Sequence, residues 1–392
     1  MSSLRRIKHS GYTSCNKVQF VRGGKDYFSL LTRLIDKALY SVHLQFYIFT
    51  DDETGKDVIE SLKKAVARGV QVFLHLDGFA SQHLHEKTIY DILYSGIKLK
   101  WFEPLFRSKH FYFGRRLHHK VVVVDGFHAL VGGINVCDRY NDLPDEPAWL
   151  DMAAYVQGET AALLQKICMQ MWGERKRLSS AEIKWQQAQS EQIHHNERVQ
   201  VRIRRNDWVK RKKEVWNSYL AMFNHAEDHM TIMCSYFLPG RFFRKRLALA
   251  AKKGVAVRVI LAGRSDISMA KHAERYLYDW LLRNNIEIYE YQDTVLHAKM
   301  ASYDSVWTTI GSYNVNNISA YASLELNLDI KDHEAAHEAE QIMNDIIKKH
   351  CKRITKENNP ASKNIFRRIW QRFCYSFINN TLNVFTFYFK QE

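Results

Sequence analysis

Strand-like and helix-like patterns of apolar residues alternate along this 392-residue chain. After residue 40, "VHLQFYIF" is rich in β-branched and aromatic residues and predicts a strand. "TGKDVIESLKKAVARG" follows with apolar residues at helical spacing and ends at Gly69, so it predicts a helix. "VQVFLHLDG", "HEKTIYDILYSG" and "IKLKWFEP" continue as strand, helix and strand. This alternation is typical of an α/β fold.

The second half repeats the same order of elements. "HMTIMCSYFLPG", "RFFRKRLALAAKKG", "VAVRVILAG", "HAERYLYDWLLRNN" and "IEIYEYQ" predict strand, helix, strand, helix and strand. "ARGVQV" and "KKGVAV" begin 185 residues apart, and His118 and His297 are 179 residues apart. An internal duplication explains both offsets. We therefore predict two lobes, 1–172 and 214–352, a polar and basic connection at 173–213, and a basic aromatic tail at 353–392.

A short motif at the head of an apolar strand occurs once in each half. "LHHKVVVVDG" contains His118 and Lys120, and "LHAKMASYDS" contains His297 and Lys299. Residues two apart in a strand point to the same face, so each histidine projects with its lysine while His119 points away. The apolar residues that follow anchor each strand in the core and hold its end rigidly, which suits catalysis.

The motif extends to H-x-K-x4-D-x6-G-[GS]-x-N, and its double occurrence at matching places argues against chance. The aspartates fall five residues after the lysines, and small or amide residues follow in "GGIN" and "GSYN". Glycine lets the backbone approach a ligand closely, and Ser or Asn can donate hydrogen bonds. The candidates supplied by these stretches are Asp125, Gly133, Asn135, Asp304, Ser312 and Asn314.

This doubled pattern resembles that of the phospholipase D (HKD) superfamily, and within it the bacterial cardiolipin synthases of the phospholipase D type. "LHHKVVVVDGFHALVGGINVCDRY" and "LHAKMASYDSVWTTIGSYNVNNISAYASLELNLDI" carry most of the similarity, which spans roughly residues 15 to 350. The resemblance implies two duplicated lobes, each a mixed β-sheet flanked by helices. A pseudo-two-fold axis would relate the lobes and bring both motifs into one shared active site. Gly133 stands where the superfamily often has Ser.

The resemblance also implies roles for the motif residues. His118 would attack phosphorus to give a phosphohistidine, and His297 would act as general acid and base. Lys120 and Lys299 would neutralise the phosphodiester, and the small and amide residues would support it. Asp125 and Asp304 belong to the catalytic motif by name, although we expect them to fix turns through salt bridges. No metal and no cofactor is required.

Each catalytic histidine needs a carboxylate on its second ring nitrogen. In "SLELNLDI" the leucines face one way and the polar residues the other, and the family places an acid at the position of Glu325. The corresponding strand of the first half, "WLDMAAYV", offers Asp151. Asp145 and Glu146 lie nearby and remain alternatives. Alternatively, Glu325 lies on a solvent-exposed face of its strand.

The partner is inferred from charge and from aromatic residues. Lys and Arg outnumber Asp and Glu by 57 to 42, which favours an anionic partner. The tail sequence "SKNIFRRIWQRFCYSFINN" interleaves aromatic and basic residues at helical spacing, typical of a helix in a membrane interface, although packing on the protein's own core is the alternative. The basic stretch 198–213 is either a solvated face or a patch that faces a membrane or a phosphate. The aromatic, basic loop 100–116 could contact lipid.

We therefore predict a cardiolipin synthase that transfers a phosphatidyl group between two phosphatidylglycerol molecules and releases glycerol. Its partners would be anionic phospholipid and a membrane surface, and we expect nucleic acid not to be a partner. Six widely spaced cysteines and the lack of a leader or spanning segment favour a peripheral protein on the cytoplasmic side of the bacterial inner membrane. The alternatives are a hydrolase, a transferase using another alcohol, a nuclease, or a non-catalytic membrane scaffold.

Overall fold

The computed structural model describes residues 11–104, 115–173, 178–316, 319, 323–359 and 364–387, with side chains described as far as residue 380. Within these ranges the chain forms two β-sheets with helices packed on their faces. Each half of the sequence supplies one sheet, apart from one short strand of the first half that joins the second sheet.

The first sheet has seven strands. They are β1 (Asn16–Arg22), β2 (Ser41–Phe46), β3 (Gln71–Asp77), β4 (Lys98–Phe102), β6 (Val121–Val124), β7 (His128–Gly132) and β8 (Met152–Gly158). Their order across the sheet is β1-β8-β7-β6-β2-β3-β4. The strands β2, β3 and β4, which are joined by helices, run parallel, and the remaining neighbours are antiparallel. The sheet is therefore mixed.

The second sheet has ten strands, one of which, β5 (Arg116–Leu117), comes from the first half of the chain. The others are β9 (Gln200–Asp207), β10 (Lys212–Lys213), β11 (His229–Cys234), β12 (Ala256–Arg264), β13 (Glu287–Val295), β14 (Lys299–Tyr303), β15 (Trp307–Gly311), β16 (Ser323–Lys331) and β17 (Cys351–Ile354). Their order is β10-β9-β16-β15-β14-β11-β12-β13-β17, and β5 pairs with β16.

The two sheets share one topology. The series β9-β16-β15-β14-β11-β12-β13 matches β1-β8-β7-β6-β2-β3-β4 strand by strand, and each matching pair of neighbours has the same relative direction. The predicted α/β fold of two duplicated lobes, each a mixed sheet flanked by helices, is confirmed.

Eleven α-helices are described on the sheets and at the end of the chain. They are α1 (Lys25–Asp36), α2 (Glu53–Ala67), α3 (Glu86–Tyr94), α4 (Glu159–Trp172), α5 (Ser180–Glu191), α6 (Glu214–His225), α7 (Arg241–Lys252), α8 (Ser268–Tyr276), α9 (Tyr278–Arg283), α10 (His333–His350) and α11 (Ile365–Phe387). In α2, the Asp52 side chain accepts the Gly55 amide as an N-cap, and Val58 and Leu62 are buried one turn apart. Gly69, with φ of 89°, follows the helix end.

A hydrophobic cluster joins the two lobes. Val121 and Val123 of β6 belong to it together with Met300, Ile310 and Leu326 of the second sheet, and all five are almost fully buried. Burying a side chain of this kind contributes about 1.5–3 kcal/mol. The strands that carry the two motifs are therefore fixed relative to each other by a common core.

The segment 173–213 is more ordered than the predicted connection. It contains α5 and then β9, which pairs with β16 from Gln200 to Asn206 and occupies the place in the second sheet that β1 has in the first. The side chains of Arg202 and Arg204 lie beside the buried Asp329 of β16. Part of the basic stretch 198–213 therefore serves an internal ion pair rather than a solvated face.

The tail forms α11, which packs along α8. Gln371 and Cys374 are buried on one side of α11, and the Tyr375 ring lies 4.9 Å from that of Tyr276. The aromatic residues on the other side remain exposed. Across the described ranges, no helix has the length and apolarity needed to cross a bilayer. Most of the aromatic loop 100–116 lies outside the described residues.

Candidate active site

Reciprocal contacts between the lobes bring the two motifs together. The backbone N–H of His118 donates to the carbonyl of Leu324, 3.1 Å away, and that of His297 donates to the carbonyl of Leu150, 2.8 Å away. In each case the carbonyl belongs to the opposite lobe and immediately precedes a buried acid in the sequence, Glu325 or Asp151. This reciprocity is what a pseudo-two-fold axis between the lobes produces.

Each histidine is held by a carboxylate from the opposite lobe. His118 Nδ1 lies 2.9 Å from Glu325 Oε2, and His297 Nδ1 lies 2.6 Å from Asp151 Oδ2. Both carboxylates are fully buried. Asp145 and Glu146, the alternatives to Asp151, are exposed. With Nδ1 occupied in both rings, Nε2 is the nitrogen that faces a substrate in each, and Nε2 of His297 also lies 3.4 Å from the Tyr140 hydroxyl.

The two carboxylates have different surroundings. Glu325 accepts hydrogen bonds from the hydroxyls of Ser312 (2.5 Å) and Ser323 (2.7 Å). Asp151 instead accepts a hydrogen bond from the backbone N–H of Met152. Gly133 is the counterpart of Ser312 and offers no hydroxyl. A Cβ at Gly133 would lie 2.4 Å from Asp151 Oδ1, so only glycine leaves room for this carboxylate.

The small residues of the motif support the carboxylates rather than project into the cavity. The Gly133 N–H donates to the carbonyl of Met152, and the Ser312 hydroxyl points at Glu325. Asn135 and Asn314 do line the cavity. Asn135 accepts the Ile48 amide and donates to the Tyr140 hydroxyl, which orders the cavity wall.

Both lysines lie behind the histidines. Lys120 Nζ donates to the carbonyl of His118 at 2.9 Å, and Lys299 Nζ donates to the carbonyl of His297. Both side chains are almost fully buried, and burial lowers the pKa of Lys120 to about 7 and also lowers that of Lys299. The lysines therefore fix the backbone of the motif as well as carrying charge near it.

Burial sets the resting protonation of the site. It lowers the pKa of His118, against the opposing charge of Glu325, and lowers the pKa of His297 to about 4, with Lys299 adding to the effect. Burial alone would raise the pKa of Glu325, but its interactions with His118, Lys120 and the Ser312 hydroxyl bring that pKa below its usual value. Near neutral pH the site therefore holds neutral imidazoles beside an ionised Glu325.

The motif aspartates do not take part in this cluster, which corrects their assignment as catalytic residues. Asp125 accepts the amides of Leu39, Tyr40 and Ser41 at 2.7–2.9 Å. Asp304 accepts the amides of Glu227, Asp228 and His229 in the same way. Each has a positive φ, 52° and 50°, in the turn after its strand. They tie that turn to the start of β2 or β11 through backbone N–H groups, not through the expected salt bridges.

A cavity of about 440 Å³ lies over the two histidines. Tyr47 and Tyr140 are among its walls: the Tyr47 ring packs edge-on to His118 at 4.9 Å, and the Tyr140 ring packs edge-on to His297 at 5.2 Å. Apolar side chains of α8 and Ile378 of α11 also line it. Sequence analysis missed both tyrosines because neither belongs to the repeated motif.

Two arginines of the cavity wall were also missed. Arg116 and Arg139 line the cavity. Among its described lining residues, no other side chain is a lysine or an arginine. Arg116 stands two residues before His118, and its position in "GRRLHHK" was the available indication. Within the described ranges, no group of three or more His, Cys, Asp or Glu side chains is arranged to hold a metal ion.

The family model described as "Cardiolipin synthase, PLD-like domain" matches residues 31–172 and 219–347 of this chain. The chain belongs to this family. Cardiolipin synthase B of Salmonella typhi is 29% identical over 389 residues, covering 97% of this chain and 89% of the relative. Cardiolipin synthase B of Escherichia coli (strain K12) is 27% identical over 382 residues, covering 96% and 88%. The predicted family is confirmed.

A solved structure shows the same fold. The crystal structure of phosphatidylserine synthase from Haemophilus influenzae Rd KW20 superposes with a TM-score of 0.72 and covers 97% of both chains, at 13% sequence identity. At that identity the likeness concerns the fold, which independently supports the two-lobed architecture.

Proposed function

We propose that this protein is a cardiolipin synthase that moves a phosphatidyl group from one phosphatidylglycerol molecule to another. The observation that carries the proposal is the pair of imidazoles on one cavity, each held at Nδ1 by a buried carboxylate of the other lobe. Two such groups, one a nucleophile and one a proton donor and acceptor, are what a two-step displacement at phosphorus requires. Family membership supports the same chemistry.

In the first step, His118 Nε2 attacks the phosphorus of the donor lipid. The new N–P bond replaces the P–O bond to the terminal glycerol, and His297 gives its Nε2 proton to the departing glycerol oxygen. That proton comes from solvent: the anionic phosphodiester adds negative charge beside His297, which raises its pKa from the low resting value, so Nε2 takes up a proton when the donor lipid binds. Glu325 stabilises the positive charge that develops on His118.

In the second step, a hydroxyl of a second phosphatidylglycerol attacks the phosphohistidine. His297, now neutral, takes the hydroxyl proton at Nε2 while the P–N bond to His118 breaks. One phosphodiester is exchanged for another, so no nucleotide or redox cofactor takes part. Water can replace the second lipid, and the product is then phosphatidic acid.

The direct test is product analysis with phosphatidylglycerol liposomes and purified protein. We expect cardiolipin and glycerol in equal amounts, measured by lipid chromatography and an enzymatic glycerol assay. If phosphatidic acid were the sole lipid product, the protein would be a hydrolase rather than a synthase. If no lipid were turned over and single-stranded DNA were cleaved, the protein would be a nuclease.

We also propose that α11 binds the membrane from the cytoplasmic side. Its exposed side carries Ile365, Phe366, Ile369, Trp370, Phe373 and Phe377, each 47–80% exposed. Arg372 interrupts this surface with positive charge, suited to anionic lipid. Ile378 of the same helix lines the cavity, so a bilayer bound to α11 would lie next to the active site. The six unpaired cysteines support a reducing compartment.

Replacing Phe366, Trp370 and Phe373 with serine should weaken liposome binding by about 100-fold, since each ring inserted in the interface contributes on the order of 1 kcal/mol. Cosedimentation with phosphatidylglycerol liposomes measures the effect. The control is serine at Tyr90, Leu93 and Tyr94, which form an equally exposed apolar group on α3. Equal binding by both triple variants would contradict the assignment of α11.

A further inference from the structure

The acceptor lipid differs from water in one feature that a protein can recognise electrostatically. Its attacking hydroxyl is joined through a three-carbon glycerol unit to a second phosphodiester, which is anionic. A cation separated from the general base by the length of this three-carbon unit could bind the second phosphodiester. It would therefore favour the lipid acceptor over water or a simple alcohol. The lysines of the motif do not fill that role, because both ammonium groups donate to the carbonyls of their own histidines.

Of the two cavity arginines, Arg116 is already engaged. Its guanidinium donates to the carbonyl of Glu103 at 3.2 Å and lies 3.7 Å from Asp77 Oδ1. Its side chain is 14% exposed. Arg116 adjoins His118, the nucleophile of the proposed mechanism, so it belongs to the donor side of the cavity.

Arg139 is differently placed. Its side chain is exposed; it hydrogen-bonds Cys137 and is attracted by the charge of Asp266, but it forms no salt bridge with any Asp or Glu of the described residues. Its guanidinium lies 4.9 Å from the Trp149 ring centre and 5.7 Å from that of Tyr140. These rings lie 6.1 Å and 5.2 Å from the His297 ring. Single aromatic rings therefore separate Arg139 from the proposed general base.

The aromatic contacts hold the guanidinium without neutralising it. Cation–π packing fixes its plane, the Cys137 side chain takes one hydrogen bond, and the remaining N–H groups stay available. The planar fork matches the two non-bridging oxygens of a phosphodiester. Asp266, which also lines the cavity, accepts a hydrogen bond from the Tyr236 hydroxyl. Asp266 attracts Arg139 without forming a salt bridge with it, so the guanidinium can still pair with an anionic ligand in the cavity.

We propose that Arg139 binds the phosphodiester of the acceptor phosphatidylglycerol and so selects lipid over water as the acceptor. The proposal rests on the proposed function, because the acceptor hydroxyl is taken to lie on His297. With that hydroxyl hydrogen-bonded to His297 Nε2, its own phosphodiester extends past Trp149 and Tyr140 to the guanidinium. Arg139 is thus a specificity-determining residue that contributes nothing to the first displacement.

The test compares three acceptors in one assay. Wild type, Arg139→Gln and Arg139→Lys are incubated with phosphatidylglycerol liposomes, with and without 1-butanol. Cardiolipin, phosphatidic acid and phosphatidylbutanol are then quantified. We expect Arg139→Gln to lower cardiolipin formation by about 10- to 100-fold, the value of a lost charge-assisted hydrogen-bond pair. Hydrolysis and transfer to butanol should stay within about twofold, because neither acceptor carries a phosphate.

Matched variants give the controls. Arg139→Lys keeps the positive charge but lacks the planar guanidinium, so its cardiolipin formation should lie between those of wild type and Arg139→Gln. Arg246→Gln removes another guanidinium that packs on an aromatic ring, 5.2 Å from Phe242 and away from the cavity, and should leave all three products unchanged. Equal losses of all three products in Arg139→Gln would overturn the proposal, and so would an unchanged product ratio. A wild type that forms phosphatidic acid and phosphatidylbutanol but no cardiolipin would overturn the proposed function itself.

Discussion

Replacing His118 with alanine should abolish phosphatidyl transfer, with kcat lowered by about 10⁴-fold or more, because the N–P bond of the intermediate can no longer form. Replacing His297 with alanine should lower kcat by at least about 10²-fold, the usual contribution of acid–base catalysis. Lipid chromatography measures both effects, and a thermal melt checks that each variant is folded. High activity in either variant would contradict a shared site.

An activated donor distinguishes the two roles. With a p-nitrophenyl ester of phosphatidic acid, the leaving group needs no proton, so His297→Ala should still complete the first step. Radiolabelled lipid should then remain on the protein after alkaline denaturation, and His118→Ala should retain none. The reverse pattern would make His297 the nucleophile. His119→Gln is the control, since His119 lies on the same stretch but contacts Gln45 outside the cavity, and it should turn over normally.

Replacing Glu325 with glutamine should lower kcat by about 10³-fold while leaving the fold intact. An amide fits the same space: its oxygen can accept from one of the two serine hydroxyls and its NH2 group can donate to the other, but it carries no charge to stabilise the imidazolium character of His118. The fully buried position admits no water to substitute for the carboxylate. The measurements are kcat with phosphatidylglycerol and the melting temperature.

Asp329→Asn is the matched control for Glu325→Gln. Asp329 is an equally buried carboxylate of β16, but it accepts from Arg202 and Ser218 and does not line the cavity. Its replacement should lower the free energy of unfolding by leaving buried arginine charge uncompensated, while kcat of the folded protein is retained. If Asp329→Asn lost as much kcat as Glu325→Gln, the effect would reflect general damage to β16.

The regular part of the fold could be predicted from local pattern. The strands before and after α2 and α7 have apolar residues at strand spacing, and Gly69 and Gly254 follow the two helices, so the type of each element follows from nearby residues. The exception was β9, whose run of arginines suggested a surface. Arg202 and Arg204 lie in a strand because Asp329 of β16 neutralises them, and that partner is more than 120 residues away in the sequence.

The candidate site divides in the same way. The sequence identified His118 and His297, since the doubled motif singles them out, and it offered Glu325 and Asp151 as acids. It could not show that each acid crosses to the histidine of the other lobe. Nor could it show that the lysines point back to backbone carbonyls or that Asp125 and Asp304 bind only backbone amides. These outcomes depend on which strands become neighbours.

By itself, then, the sequence determined the duplication, the α/β class and the residue types of the chemistry, because strand period, helix period and a repeated motif are properties of neighbouring residues. Only the tertiary structure decided which groups share the cavity, because β5 and β16 meet across the lobes. It also decided that Arg139 lies one aromatic ring away from His297 and that α11 turns its aromatic side outward. Those are contacts between segments far apart in the chain, and no local pattern encodes them.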